Sequence, residues 1–174
     1  VLSGEELIMP GFNVTRTKDL FRFPVSSQLL GRVIDTYGNP IDSGKSFKYK
    51  SKLRDVEIKA PGIISRYKVN EPLQTGVKAV DSLIPIGRGQ RELIIGDKST
   101  GKTAVALDTI LNQKNNAWTS ATHVHCLYVS IGQRRATVAK TAYLLEKKGA
   151  LDYSVLFAAT ASESCALQYL IPYC

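Results

Sequence analysis

The sequence predicts an α/β protein whose parallel sheet is wound with helices and preceded by the tail of a small β-domain. Three observations carry this prediction. Apolar, strand-like runs alternate with helical periodicities through the second half of the chain. Those runs are apolar at successive positions, as strands covered on both faces must be. One run leads directly into a glycine-rich string that opens a helix. With 174 residues, 44% of them hydrophobic, the chain can bury a sizeable core.

The elements follow in order. Glu6–Met9, Asn13–Thr17 and Leu20–Pro24 read as short strands separated by Pro10-Gly11 and by polar turns, and they assign residues 1–30 to the β-domain tail. Leu29–Asp35 is a further apolar strand, ended by the turn Tyr37-Gly38-Asn39-Pro40. Gln90–Ile95 is the strand that enters the glycine loop. Lys102–Asn112 follows as a helix, with Val105, Ala106, Ile110 and Leu111 to one side. His125–Ile131 is the next strand. The helix after it runs from about Arg135 to Lys148 and stops at Gly149. Tyr153–Ala159 is the last strand. Strands that alternate with helices require right-handed crossovers between parallel neighbours. About three strands are fewer than a sheet of this class uses, so the domain in residues 31–174 is expected to be incomplete.

Charge and cysteine content narrow the function classes. The formal net charge of +8 suits a polyanionic ligand, an acidic partner, a nucleic acid or a membrane surface. Part of the excess is local: Lys45, Lys48, Lys50, Lys52 and Arg54 form an acid-free stretch, interleaved with Phe47 and Tyr49, that reads as a solvated loop or edge strand. Three cysteines, Cys126, Cys165 and Cys174, show no repeating spacing, so a disulfide framework is not expected. Val1–Pro10 lacks the pattern of a secretory signal, and no apolar run approaches the ~20 residues of a membrane-spanning helix. Asn13-Val14-Thr15 fits the glycosylation pattern by chance.

The chemistry is concentrated in Gly96-Asp97-Lys98-Ser99-Thr100-Gly101-Lys102-Thr103, which matches the phosphate-binding pattern G-x-x-x-x-G-K-[ST] in the required setting of strand before and helix after. Gly96 and Gly101 are expected to take backbone turns closed to side-chain-bearing residues, so that successive amides face a phosphate, with Ala104 continuing the cradle. The positive end of the helix adds to the attraction. Lys102 would reach the β- and γ-phosphate oxygens, and the Thr103 hydroxyl would be a ligand for Mg²⁺.

Hydrolysis needs more: a carboxylate on the metal side, a group that activates water, and an arginine for the developing charge. Glu92, Asp97 and Glu163 are available carboxylates, each more easily read as solvated strand edge, loop or helix cap. At the end of the second sheet strand stands Gln133, where α/β folds present residues to ligand. An amide accepts no proton, which argues for binding with poor turnover. Some phosphate-loop GTPases do position water with glutamine, so Gln133 alone leaves catalysis open. His123, His125 and Cys126 lie close together, but alternation along a strand puts Cys126 on the face opposite the two histidines, against a metal site.

Pro61-Gly62-Ile63-Ile64, the run Val69–Gly76, the run Lys78–Asp97 and Ser130-Ile131-Gly132-Gln133-Arg134 closely resemble the alpha subunits of F-type ATP synthases. So do Leu30–Asp35, Ala158–Ser162 and Leu167–Leu170, and the resemblance covers nearly the whole chain. The beta subunits of that family carry a glycine-richer loop and a glutamate at the position of Gln133. The resemblance implies a RecA-like domain in residues 31–174 preceded by the end of an N-terminal β-barrel in residues 1–30. It implies a subunit that holds ATP or ADP with Mg²⁺ at residues 96–104 and Gln133 without catalysing turnover. It further implies an alternating ring with beta subunits around a central gamma stalk, contact with a peripheral stalk and with the remainder of the alpha subunit, and no nucleic-acid binding or membrane insertion. Ser99 departs from the glutamine usual in the family and has a shorter reach. The stretch Thr15–Arg22 is closer to mitochondrial members, which points to the matrix side of the inner membrane, with a peripheral place on a bacterial or plastid membrane as the alternative. Absent from the chain are the aspartate-ended strand, the arginine and the adenine pocket, so it reads as a middle piece. Two alternatives stay open: a catalytic ring ATPase of secretion or flagellar type, expected to carry glutamate at Gln133, and an RNA translocase resembling the terminator Rho, expected to stack bases on Phe12, Phe21 and Phe23.

Overall fold

The computed structural model describes all residues except 1, 3, 43, 45–51 and 118–123. Most of the acid-free lysine stretch and His123 therefore lie outside the described residues. The strands are β1 (Arg22–Val25), β2 (Val33–Ile34), β3 (Lys52–Asp55), β4 (Pro72–Leu73), β5 (Ile86–Gly87), β6 (Cys126–Gln133) and β7 (Ser154–Thr160). The helices are α1 (Lys78–Leu83), α2 (Lys102–Asn112), α3 (Lys114–Ala117), α4 (Arg135–Lys147) and α5 (Cys165–Leu170).

The central sheet has the order β2-β7-β6 and is parallel throughout. β7 is its middle strand, and all seven of its residues are buried, as a strand covered on both faces requires. Alternate residues of β7 point to opposite sides and define two cores. Leu156 and Ala158 join Val33, Leu107 of α2 and Val138 and Leu145 of α4 on one side. Val155, Phe157 and Ala159 join Phe23, Leu29, Ile34, Val56 and Ile171 on the other. The helical layer thus covers one face. The other is covered by the antiparallel pair β1–β3 and by the C-terminal turn, with Phe23 and Phe157 ring centroids 5.8 Å apart.

Helix α4 ends where the sequence places its stop. Gly149 adopts φ +66°, its N–H reaches Glu146 O at 2.9 Å, and Ala150 N reaches Leu145 O at 2.8 Å.

Several predicted strands are not strands. Glu5–Leu7 is a single 3₁₀ turn, and residues 8–20 are exposed and form no ladder. Of Leu20–Pro24, Arg22, Phe23 and Pro24 are paired, and the strand extends to Val25. Leu29–Asp35 shrinks to Val33–Ile34, because a 3₁₀ turn capped by the Ser26 side chain occupies Ser27–Leu29. The run Gln90–Ile95 also forms no ladder, and Leu93 and Ile95 are 79% and 83% exposed. Apolarity marks a segment fit for pairing, but a strand exists only where a neighbour takes its backbone hydrogen bonds. Leu127, Val129 and Ile131 of β6, in register with Val155, Phe157 and Ala159 of β7, are likewise exposed.

The loop between β2 and β3 is pinned by Asp42. Its carboxylate accepts Arg32 Nε at 2.7 Å, Arg32 Nη2 at 2.6 Å, Val33 N at 3.1 Å and Gly44 N at 3.0 Å. The Arg32 guanidinium is the main reason the carboxyl titrates below its ordinary 3.8; the Val33 and Gly44 amides assist, and partial burial opposes. A lowered pKa contributes stability above the unfolded value that is lost as pH falls through the folded one. Thermal melts of the native chain and of Asp42→Asn should therefore differ near neutrality and converge below pH 3.8. A gap that persists undiminished at lower pH would show that the carboxylate charge is not what stabilises the loop.

Candidate phosphate-binding site

Helix α2 begins at Gly101, whose φ of +92° and ψ of +9° place it in the left-handed region that favours glycine. No side chain caps this end. The first amides of a helix have no partner within it, so Lys102, Thr103 and Ala104 present donors at the positive end of an 11-residue helix.

The other glycine of the pattern behaves differently from expectation. Gly96 does not have a positive φ; Ser99 does, at +64°. What Gly96 supplies is space, since a Cβ there would stand 2.9 Å from Thr100 Oγ1. That hydroxyl donates to Asp97 O at 2.8 Å and closes the loop on itself. The Lys102 ammonium crosses the loop and donates to the carbonyls of Gly96 and Asp97. Asp97, Lys98, Ser99, Thr100 and Gly101 are exposed.

Thr103 is exposed in the first turn of α2 and offers a neutral hydroxyl oxygen. Mg²⁺ keeps several waters and takes few protein oxygens beside phosphate, so a single hydroxyl here fits its requirements. Among the described residues no three His, Cys, Asp or Glu side chains converge as a metal-binding group.

Gln133 ends β6, opposite Thr160 of β7, just beyond a register shift at Gly132, which takes φ +66°. Its carbonyl accepts Ala161 N at 3.1 Å, whereas its side-chain Oε1 is buried without a partner among the described residues. No hydrogen bond among them joins Gln133 to residues 96–104. Two of the three candidate carboxylates, Glu92 and Glu163, are engaged elsewhere. Glu92 accepts Gln90 Nε2 at 2.8 Å, and Glu163 Oε1 accepts Thr160 N at 3.1 Å and Thr160 Oγ1 at 3.2 Å. A cleft of about 560 Å³, walled by Val33, Arg135, Val138, Tyr143 and Glu163, contains none of residues 96–104.

The pattern G-x-x-x-x-G-K-[ST], with an uncapped helix after it and a parallel sheet in the same chain, is that of phosphate-loop nucleotide-binding proteins, although the run 90–95 before it forms no ladder. Residues 76–174 match the family described as ATP synthase alpha/beta family, nucleotide-binding domain. The chain belongs to that family. It is 53% identical over 175 residues to ATP synthase subunit alpha of Rickettsia canadensis (strain McKiel), covering 99% of this chain and 34% of that protein. It is also 53% identical over 175 residues to the mitochondrial ATP synthase subunit alpha of Schizosaccharomyces pombe, covering 99% of this chain and 32% of that protein. The chain thus spans about a third of the length of these relatives.

Sequence reading found the loop because its pattern is local. It missed the left-handed Ser99 and the whole of α1. The latter is announced by the turn residues Thr75-Gly76 just before it and by Asp81 in its first turn.

Proposed function

We propose that this chain is the nucleotide-holding part of the alpha subunit of an F-type, proton-translocating ATP synthase, where it binds ATP or ADP with Mg²⁺ and does not turn it over. The observation that carries the reading is the loop of residues 96–103 opening α2 with uncapped amides, Lys102 and Thr103 at its head. Residues 96–104 are the phosphate contacts in this reading, Thr103 the metal ligand, and Gln133 the polar group on the metal side. Its unpartnered Oε1 is an acceptor able to hold a metal-bound water. Residues 1–30 belong to the end of an N-terminal β-barrel and residues 31–174 to the first half of a RecA-like domain. The partners are beta subunits in an alternating ring, the gamma stalk, the peripheral stalk and the rest of the alpha subunit.

The names of both relatives favour this over a secretion-type ATPase or a Rho-like translocase. One of them is mitochondrial, which supports a mitochondrial location, and in this reading the chain sits on the matrix face of the inner membrane. No helix among the described residues is long and apolar enough to cross a membrane.

Binding without turnover is the test. The chain should bind Mg-ATP in a calorimetric titration and release phosphate no faster than a Lys102→Ala variant. General-base assistance contributes ~10²- to 10⁴-fold to rate, and Gln133 offers none. Phosphate release well above that control would overturn the non-catalytic reading, and absence of binding would overturn the nucleotide reading itself.

A further inference from the structure

Helix α2 is gripped at the end remote from the phosphate loop. Asn112 Nδ2 donates to Gln74 O at 2.9 Å and Gln113 Nε2 to the same oxygen at 2.7 Å, with a second bond from Gln113 Nε2 to Thr109 O at 3.1 Å. The receiving turn is itself held by one carboxylate. Asp81, in the first turn of α1, accepts Thr75 N at 3.0 Å, Thr75 Oγ1 at 2.6 Å and Gly76 N at 2.9 Å. Gly76 takes φ +81°, and a Cβ there would stand 2.9 Å from Asn112 Cγ, so the turn leaves no room for a side chain against Asn112. Thr75 and Gln113 are each 1% exposed. From the far side Tyr153 donates its hydroxyl to Ile110 O at 2.9 Å.

This arrangement contrasts with the other end of the helix. There the loop is exposed, and the hydrogen bonds of Lys102 and Thr100 are internal to it. Of the residues of α2, Leu107 is buried. The direction of the helix is therefore set by Leu107 in the core and by the polar clamp at Asn112 and Gln113. A helix of 11 residues is about 16 Å long, so a tilt of a few degrees moves its head by on the order of 1 Å. Hydrogen bonds to phosphate act over a narrower range than that.

We infer that the Gln74–Gly76 turn, locked by Asp81 and gripped by Gln113, aims α2 at its anionic ligand, and that Asp81 and Gln113 are positioning residues for a bound triphosphate. The inference rests on the nucleotide reading above and adds to it a control point outside the loop. Networks of this kind couple sites by a few-fold to about thirtyfold in affinity.

The test is a calorimetric titration with magnesium tripolyphosphate, which isolates the phosphate contacts, on the native chain, Gln113→Leu, Asp81→Ala and Phe157→Leu. Phe157 lies in the core on the opposite face of the sheet and controls for general loss of stability. Gln113→Leu and Asp81→Ala should bind roughly threefold to tenfold more weakly, with Phe157→Leu within about twofold of the native chain. Removal of the Asp81 charge by itself would favour an anion, so weaker binding there cannot be a simple charge effect. Should Gln113→Leu not fold, Asp81→Asn, which keeps the volume, carries the same expectation. Unchanged affinity in the clamp variants, or an equal loss in Phe157→Leu, overturns the inference and leaves the nucleotide reading intact. A native chain that binds no better than Lys102→Ala overturns both.

Discussion

Replacing Lys102 with alanine should weaken binding of Mg-ATP by about tenfold to a hundredfold, since hydrogen bonds to charged groups contribute about 1.5–3 kcal/mol and each 1.4 kcal/mol is a factor of ten. The ammonium already lies against the loop, donating to the carbonyls of Gly96 and Asp97. Ser99→Ala removes a neutral hydroxyl from an exposed position and should lose less, a charge-assisted bond being about twice as strong as a neutral one. Neither change touches the cores, so urea midpoints should stay close to that of the native chain. Equal affinity losses in a titration of the two variants would show that Lys102 does not face phosphate.

Leu156→Ala should be the most damaging single change to stability. The residue is fully buried in the middle strand, its N–H bonds Arg32 O at 3.1 Å, and it stands between Val33 of β2 and Tyr128 of β6. Truncating a leucine in such a place costs about 2–5 kcal/mol, against a whole-domain stability of about 5–15 kcal/mol. Leu127→Ala, only one strand away, should change stability by less than about 0.5 kcal/mol because that side chain is already 64% exposed. Urea melts of the two variants measure the difference. Similar losses would mean that the outer face of β6 is covered in solution.

What the sequence made legible was what depends on neighbours in sequence. The loop, α2, α4 with its Gly149 stop, β6 and β7 were all readable, because a glycine-rich string, a 3.6-residue period and an apolar run are local signals. Residues 8–20 and 90–95 misled for one reason. Their composition suits strands, but pairing is a property of two segments, and the second segment is not announced by the first. The site divides in the same way. Lys102 and Thr103 follow from the pattern; the left-handed Ser99 and the spatial role of Gly96 depend on how the loop packs against Thr100. The clamp from Gln74 to Gln113 joins residues 39 apart, a separation at which no periodicity speaks.

The strand order β2-β7-β6 also has a kinetic meaning. β6, α4 and β7 form one parallel crossover from a continuous stretch of chain, so their association closes a short loop. β2 joins the same sheet from far upstream; the neighbouring tie from Thr36 to Leu167 bridges 131 residues. Loop-closure entropy rises with the logarithm of that separation and must be overcome before the contact gives anything back. The β6–α4–β7 unit is therefore expected to assemble first, and capture of Val33 and Ile34 along β7 to follow and complete both cores.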